Sequence, residues 1–205
     1  MYTPLVTRRH EDMKDVLKGP NLDGPEIHYY MIRGGIDKTN TTVLESGNVG
    51  GEYIKTYGHY HDGNVREMYE IVGGEGIVLL QQRKIDSNSV PIDDEIETFI
   101  AIKVKPGDCV HMPPEFGHII VNIGKMWLVT IDNTHIRSDG DAQLPGHVDY
   151  ESVTRMHGFA YYIVDDCGTP KLVKNVNYKI VPEPQWLTVL EWENRSTARF
   201  QRYKD

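Results

Sequence analysis

The sequence predicts an all-β protein folded as an antiparallel barrel or jelly roll. Three features carry that expectation. Many short segments are rich in Val, Ile, Tyr and Thr, they are separated by Gly, Asn and Asp, and helical periodicity is scarce. At 205 residues with 39% hydrophobic side chains, the chain is long enough for one substantial domain and too apolar for wholesale disorder.

In chain order, a short helix is expected at 11–18, closed by Gly19-Pro20, because glycine and proline end helices. Strands follow at 27–33, 41–45, 52–57, 66–72 and 76–82. The stretch 84–97 is polar and acidic and contains Pro91, so it reads as a long hairpin loop. Further strands are expected at 98–104, 109–112, 118–122 and 126–132. A second short helix fits 149–157, with Gly158 as its left-handed terminator, before strands at 159–164, 171–176 and 185–191. The tail 193–205 shows no apolar periodicity and reads as an appendage. The expected organisation is an N-terminal appendage with a short helix (1–24), a barrel domain (25–179) and a C-terminal extension (180–205).

With 22 Lys+Arg against 30 Asp+Glu, the formal charge is −8, which argues against nucleic acid as a partner. A small anionic substrate needs only a few local donors and stays open. Cys109 and Cys167, the two cysteines, fit neither a zinc motif nor a disulfide scaffold. The N-terminal residues lack an apolar leader, and apolar runs such as 77–80 are too short to cross a bilayer. The expectation is therefore a cytoplasmic protein without a membrane partner.

The most informative segment is Gly58-His59-Tyr60-His61, followed by Glu67. Residues two apart on a strand face one side, so His59 and His61 project together and Tyr60 points away. Glu67 can return from the loop at Gly63-Asn64 and bring a carboxylate beside them; Glu70 competes, but its side chain faces the other way. Gly107 then opens a strand, Pro113-Pro114 bends the chain, and His118 begins the next strand facing the same cavity. Three imidazoles and one carboxylate suit Fe(II), Mn(II), Ni(II) or Zn(II) without choosing among them. A His-x-His pair alone is more often a polar patch; the two segments in this order are what favour a metal site. His111 alternates out of phase and reads as a surface residue, while His10, His135 and His157 lack supporting context.

These residues resemble the two signature motifs of the cupin superfamily: glycine, two histidines and glutamate, then Gly107-x5-Pro113 followed by His118 and Asn122. More narrowly, the chain resembles the cupin-type, archaeal-like glucose-6-phosphate isomerases. The likeness runs from about 25 to 178 through Thr41-Thr42-Val43-Leu44, Thr56-x-Gly58-His59-x-His61, Glu67-Met68-Tyr69, Gly76-Ile77-Val78-Leu79-Leu80-Gln81, Pro113-Pro114, His118, Val121-Asn122-Ile123-Gly124, Asp149-Tyr150 and Gly158-Phe159.

The resemblance implies a cupin jelly-roll β-barrel with one or two short helices, a homodimer, and one divalent metal per chain inside the barrel, with Fe(II) favoured. Its ligands would be His59, His61, Glu67 and His118. Thr42, Thr56 and Gly58 match positions that hold a sugar phosphate, with Tyr150 near the sugar end. The implied reaction interconverts glucose 6-phosphate and fructose 6-phosphate, with Glu67 transferring the proton or with a metal-assisted hydride shift. Other cupin enzymes, and a non-catalytic sugar-binding cupin, are the competing implications. Two departures stand out: Asp132 replaces a tyrosine used at the phosphate, and His28 aligns with another, where it could bind phosphate if protonated.

Overall fold

The computed structural model describes residues 5–34, 39–61, 63–133 and 148–202. Its strands are β1 (Leu5–Arg9), β2 (Ile27–Ile32), β3 (Asn40–Leu44), β4 (Asn48–Val49), β5 (Glu52–Tyr53), β6 (Tyr60–His61), β7 (Glu67–Gly73) and β8 (Gly76–Ile85). They continue with β9 (Pro91–Val104), β10 (Cys109–Met112), β11 (Phe116–Asn122), β12 (Leu128–Asp132), β13 (Val148–Asp149), β14 (Tyr161–Asp166), β15 (Thr169–Lys174) and β16 (Gln185–Leu187). The helices are α1 (His10–Met13), α2 (Glu151–Arg155) and α3 (Val189–Arg202).

The fold is an all-β jelly-roll barrel. One sheet runs β1-β2-β3-β12-β7-β10 and another runs β11-β8-β9-β16, while β6 pairs with β13 at the barrel's mouth. Short bridges join the sheets where the metal motif falls: Lys55 pairs with Val121 and His59 with His118. Residues 77–80 of β8 and 99–102 of β9 are almost fully buried on both faces. They face the barrel interior on one side and an outer layer on the other, where Phe99 meets Tyr161 at 4.8 Å. A strand covered on both faces reads as a continuous apolar run, not as an alternation.

Several elements differ from the sequence expectation. The stretch 84–97 is not a loop: β8 and β9 extend past it as one hairpin turning at 86–90. Asp86 holds that turn by accepting from the amides of Asn88 and Val90, each at 2.8 Å. Pro91 is the first residue of β9, where its missing N–H is tolerated. The acidic residues are cross-strand partners, since Arg83 meets Asp93 at 2.6 Å and Lys84 meets Glu95 at 3.5 Å.

The expected strand 185–191 stops at Leu187 because Thr188 caps α3. Its hydroxyl accepts from the amide of Glu191 (3.2 Å), and the Glu191 carboxylate accepts from the amide of Thr188 (2.8 Å). The tail is thus helical to Arg202, and residues 203–205 lie outside the described set. Trp192 is buried against Phe116, and its indole donates to the carbonyl oxygen of His111 at 2.8 Å.

At the other end, β1 was not anticipated; it pairs with β2 along the sheet edge. The expected helix at 11–18 is one α-turn followed by a 3-10 turn at Lys14–Val16. A buried Lys55–Glu52 ion pair (2.6 Å) fastens this segment down. Lys55 Nζ donates to the carbonyl of Val16 (2.5 Å), and Glu52 accepts from the amide of Lys18 (2.7 Å). The second helix is shorter than 149–157, because β13 claims Val148 and Asp149; Gly158 does close the segment, with φ +104°.

Candidate metal centre and substrate cavity

His59 and His61 project together as the pleat requires, with ring centroids 4.8 Å apart. Tyr60 points the other way, onto Phe159. Gly58 makes the approach possible: its φ is +84°, and a Cβ there would lie 2.2 Å from Ile119. Glu67 enters at the start of β7 and His118 from β11. One carboxylate oxygen of Glu67 stands 2.8 Å from His61 Nε2, 3.0 Å from His118 Nε2 and 3.8 Å from His59 Nε2.

The four donor atoms lie within 4.8 Å of one another. Nε2 of His59 and of His118 are buried and make no hydrogen bond. Buried polar atoms without partners are costly, and three ring nitrogens aimed at one carboxylate oxygen are what a cation would satisfy. Electrostatics agree. Burial, then His118, pushes the His59 imidazole down to about 3, so it stays neutral and able to ligate. Burial alone would raise the Glu67 carboxyl, but the surrounding imidazoles, His118 foremost, hold it well below the usual carboxylate range. The residues therefore fit a divalent metal.

Beside this cluster lies a small cavity that opens to solvent. Thr42, Thr56, Gly58 and Tyr150 all line it, as does Asp132. Thr56 uses its oxygen to accept from the amide of Ile120 (3.1 Å), which leaves its O–H free to donate. Asp132 ends β12, buried, and accepts from Asn40 Nδ2 at 2.7 Å.

His28 is not brought to this cavity, contrary to expectation. The pleat turns it to the opposite side of β2, where its Nε2 meets His10 Nδ1 at 3.1 Å and burial pushes its pKa down to about 4. The next residue, Tyr29, takes the cavity position, so the one-residue register decides which side chain faces the site. His111 is half-buried at its side chain and meets Glu193 outside the barrel; His135 lies outside the described residues.

Arg33, Tyr57 and Tyr69 also line the cavity, and the sequence reading gave none of them a role there. Tyr57 packs edge-on against Tyr150 (5.6 Å), which covers His59 (5.5 Å), while Tyr69 packs on His118 (5.5 Å). Alternation along β7 is the signal that could have found Tyr69, given that it shares a face with Glu67.

A jelly-roll barrel with three imidazoles and a carboxylate converging inside it defines a cupin with a candidate metal centre. Residues 27–181 match the family described as Glucose-6-phosphate isomerase (GPI). The chain belongs to that family. A Thermococcus gammatolerans glucose-6-phosphate isomerase is 33% identical over 141 residues, covering 68% of this chain and 64% of that protein. A Pyrococcus abyssi glucose-6-phosphate isomerase is 31% identical over 140 residues, covering 68% and 63%. The match thus spans somewhat less than two thirds of those relatives' length.

Among solved structures, CapF, a capsular polysaccharide assembling protein from Staphylococcus aureus, has a TM-score of 0.40 at 18% identity, covering 67% of this chain and 32% of that one. A formate complex of Lactobacillus farciminis oxalate decarboxylase has a TM-score of 0.36 at 18% identity, covering 55% and 30%.

Proposed function

We propose that the chain interconverts glucose 6-phosphate and fructose 6-phosphate and that it depends on a divalent metal held by His59, His61, Glu67 and His118. The observation that carries this reading is the position of that cluster at the floor of a cavity walled by hydroxyls and aromatic rings. A hexose phosphate fits such a wall: hydroxyls of Thr42 and Thr56 and the amide of Gly58 can donate to phosphate oxygens, and Tyr150 and Tyr57 can screen the sugar from water.

The reaction moves one hydrogen between C1 and C2 of the open-chain sugar. A divalent ion in this site would supply Lewis acidity toward the sugar's carbonyl and hydroxyl oxygens. In the first route Glu67 would take the proton from C2 and return it to C1. A carboxylate held by a divalent cation would be a weakened base, and this favours the second route, in which hydrogen passes directly between the two carbons. Substrate deuterated at C2 separates the routes: deuterium retained in the product in ordinary water supports direct transfer, and complete washout supports proton transfer.

Iron as the native ion and a homodimeric state belong to the same proposal. The test of the function is a coupled assay of fructose 6-phosphate conversion, on protein stripped of metal and reloaded separately with Fe(II), Mn(II), Ni(II) and Zn(II). Turnover that returns only on reloading is expected. Full metal binding with no turnover by any of the four would overturn the assigned reaction.

A further inference from the structure

The cavity wall contains a buried arginine that forms no ion pair among the described residues. Arg33, one residue past β2, is 8% exposed and lines the cavity two residues on from Met31, which also lines it. Its Nε is buried and makes no hydrogen bond, its only donor contact of note is with the thioether of Met31 (3.2 Å), and it joins no ion pair among the described residues. Burying a guanidinium without a carboxylate is expensive, so such a group is retained where an anion completes it.

A second arginine stands behind the same wall. Arg8, from β1, lies opposite Tyr29 in the strand register, with its guanidinium 5.7 Å from the Tyr57 ring and 6.0 Å from the Tyr150 ring. Its Nε is also buried without a partner. Residue 8 lies outside the span 27–181 that matches the family, so β1 brings to the site a charge that the matched region does not contain.

The charges balance in a telling way. Formally, Arg33 in the wall and Arg8 behind it offset Glu67 and Asp132, so a divalent ion in the cluster would leave the cavity and its surround two positive charges in excess, the complement of a phosphate dianion. Thr42, Thr56 and Gly58 offer donors to such an anion but no charge. Asn40 also ties the two ends of this wall together: its Oδ1 accepts from the amide of Gly34, next to Arg33, while its Nδ2 donates to Asp132.

We infer that Arg33 is the residue that recognises the anionic end of the substrate, with Arg8 as a second charge acting through Tyr29 and Tyr150. The inference rests on the proposed isomerase reading for the substrate's identity, though not for the anion site itself. A guanidinium fork suits a phosphate better than an ammonium does, so lysine should replace Arg33 only in part.

The test compares wild type, Arg33→Gln, Arg33→Lys and Arg8→Gln, each metal-loaded and checked for an unchanged melting curve. Two quantities are read: KM and kcat for fructose 6-phosphate, and the dissociation constant for inorganic phosphate by calorimetry. Arg33→Gln should raise KM and the phosphate constant together by about 10- to 100-fold, the range for losing a charged hydrogen bond, with a far smaller change in kcat. Arg33→Lys should recover part of that loss, and Arg8→Gln should raise both by less. Wild-type KM and phosphate affinity in folded Arg33→Gln would overturn the inference, as would a wild type that does not bind phosphate. Should Arg33→Gln fail to fold, Arg33→Lys decides: weaker binding in both readouts supports the inference and wild-type values overturn it. If wild type shows no isomerase activity, the reaction falls by itself, and the phosphate titration still decides Arg33.

Discussion

The Glu67 carboxylate is the point on which three imidazole nitrogens converge. Replacing it with glutamine keeps the shape and removes the charge, so Glu67→Gln should keep its melting curve while turnover falls by about 100-fold or more, the scale of losing a general base or a metal ligand. His118→Ala should abolish metal retention, measured as ion content after gel filtration; full occupancy would remove His118 from the ligand set. Asp132 lies in the cavity as a negative charge, so Asp132→Asn, which can still meet Asn40, should lower KM for sugar phosphates; an unchanged KM would show that its charge does not reach the substrate. All four cluster residues were legible in the sequence, because ligation restricts residue type and the pleat fixes which neighbours share a face. Tyr29 and Arg33 were not, because a register shift of one residue exchanges the side chains that face the cavity, and His28 occupied the position in the alignment that Tyr29 occupies in space.

Single elements were legible where their chemistry is local. β10 matches its expected bounds, and β2, β3, β7 and β12 fall within a few residues of theirs. The β8–β9 hairpin was hidden because its acidic residues look like loop composition until Arg83 and Lys84 across the strands, and Arg155 from α2, are seen paired with them. The start of α3 was written in the sequence as Thr188-x-x-Glu191, a reciprocal cap, but β-branched and aromatic neighbours argued for a strand. Thr188→Ala should lower unfolding stability by about 1 kcal/mol, and Trp192→Ala by about 3–5 kcal/mol, since the latter empties a fully buried site beside Phe116. Urea unfolding measures both. A Trp192→Ala cost below that of Thr188→Ala would mean that α3 does not contribute to the folded core.

For the whole molecule, the barrel brings together residues from β1 to α2 that are far apart in sequence, and this non-local assembly is what a reading of local patterns reaches last. His28 gives the molecule a predicted acid sensitivity. Burial, then His10 and Lys55, holds its folded pKa near 4 against an ordinary 6.5, so the unfolded chain takes up a proton first as pH falls. That contribution to stability is present above about pH 6.5 and is lost progressively toward pH 4. Wild type should lose more unfolding free energy than His28→Asn over this window; parallel losses would place the sensitivity elsewhere. The central claim, that one metal centre at the barrel floor drives sugar-phosphate isomerisation, is tested most directly by titrating metal-stripped protein with Fe(II) while following ion occupancy and fructose 6-phosphate turnover in the same samples. Turnover should rise in proportion to occupancy and break at one ion per chain. Turnover in the stripped protein, or occupancy that fills without turnover, would contradict that claim.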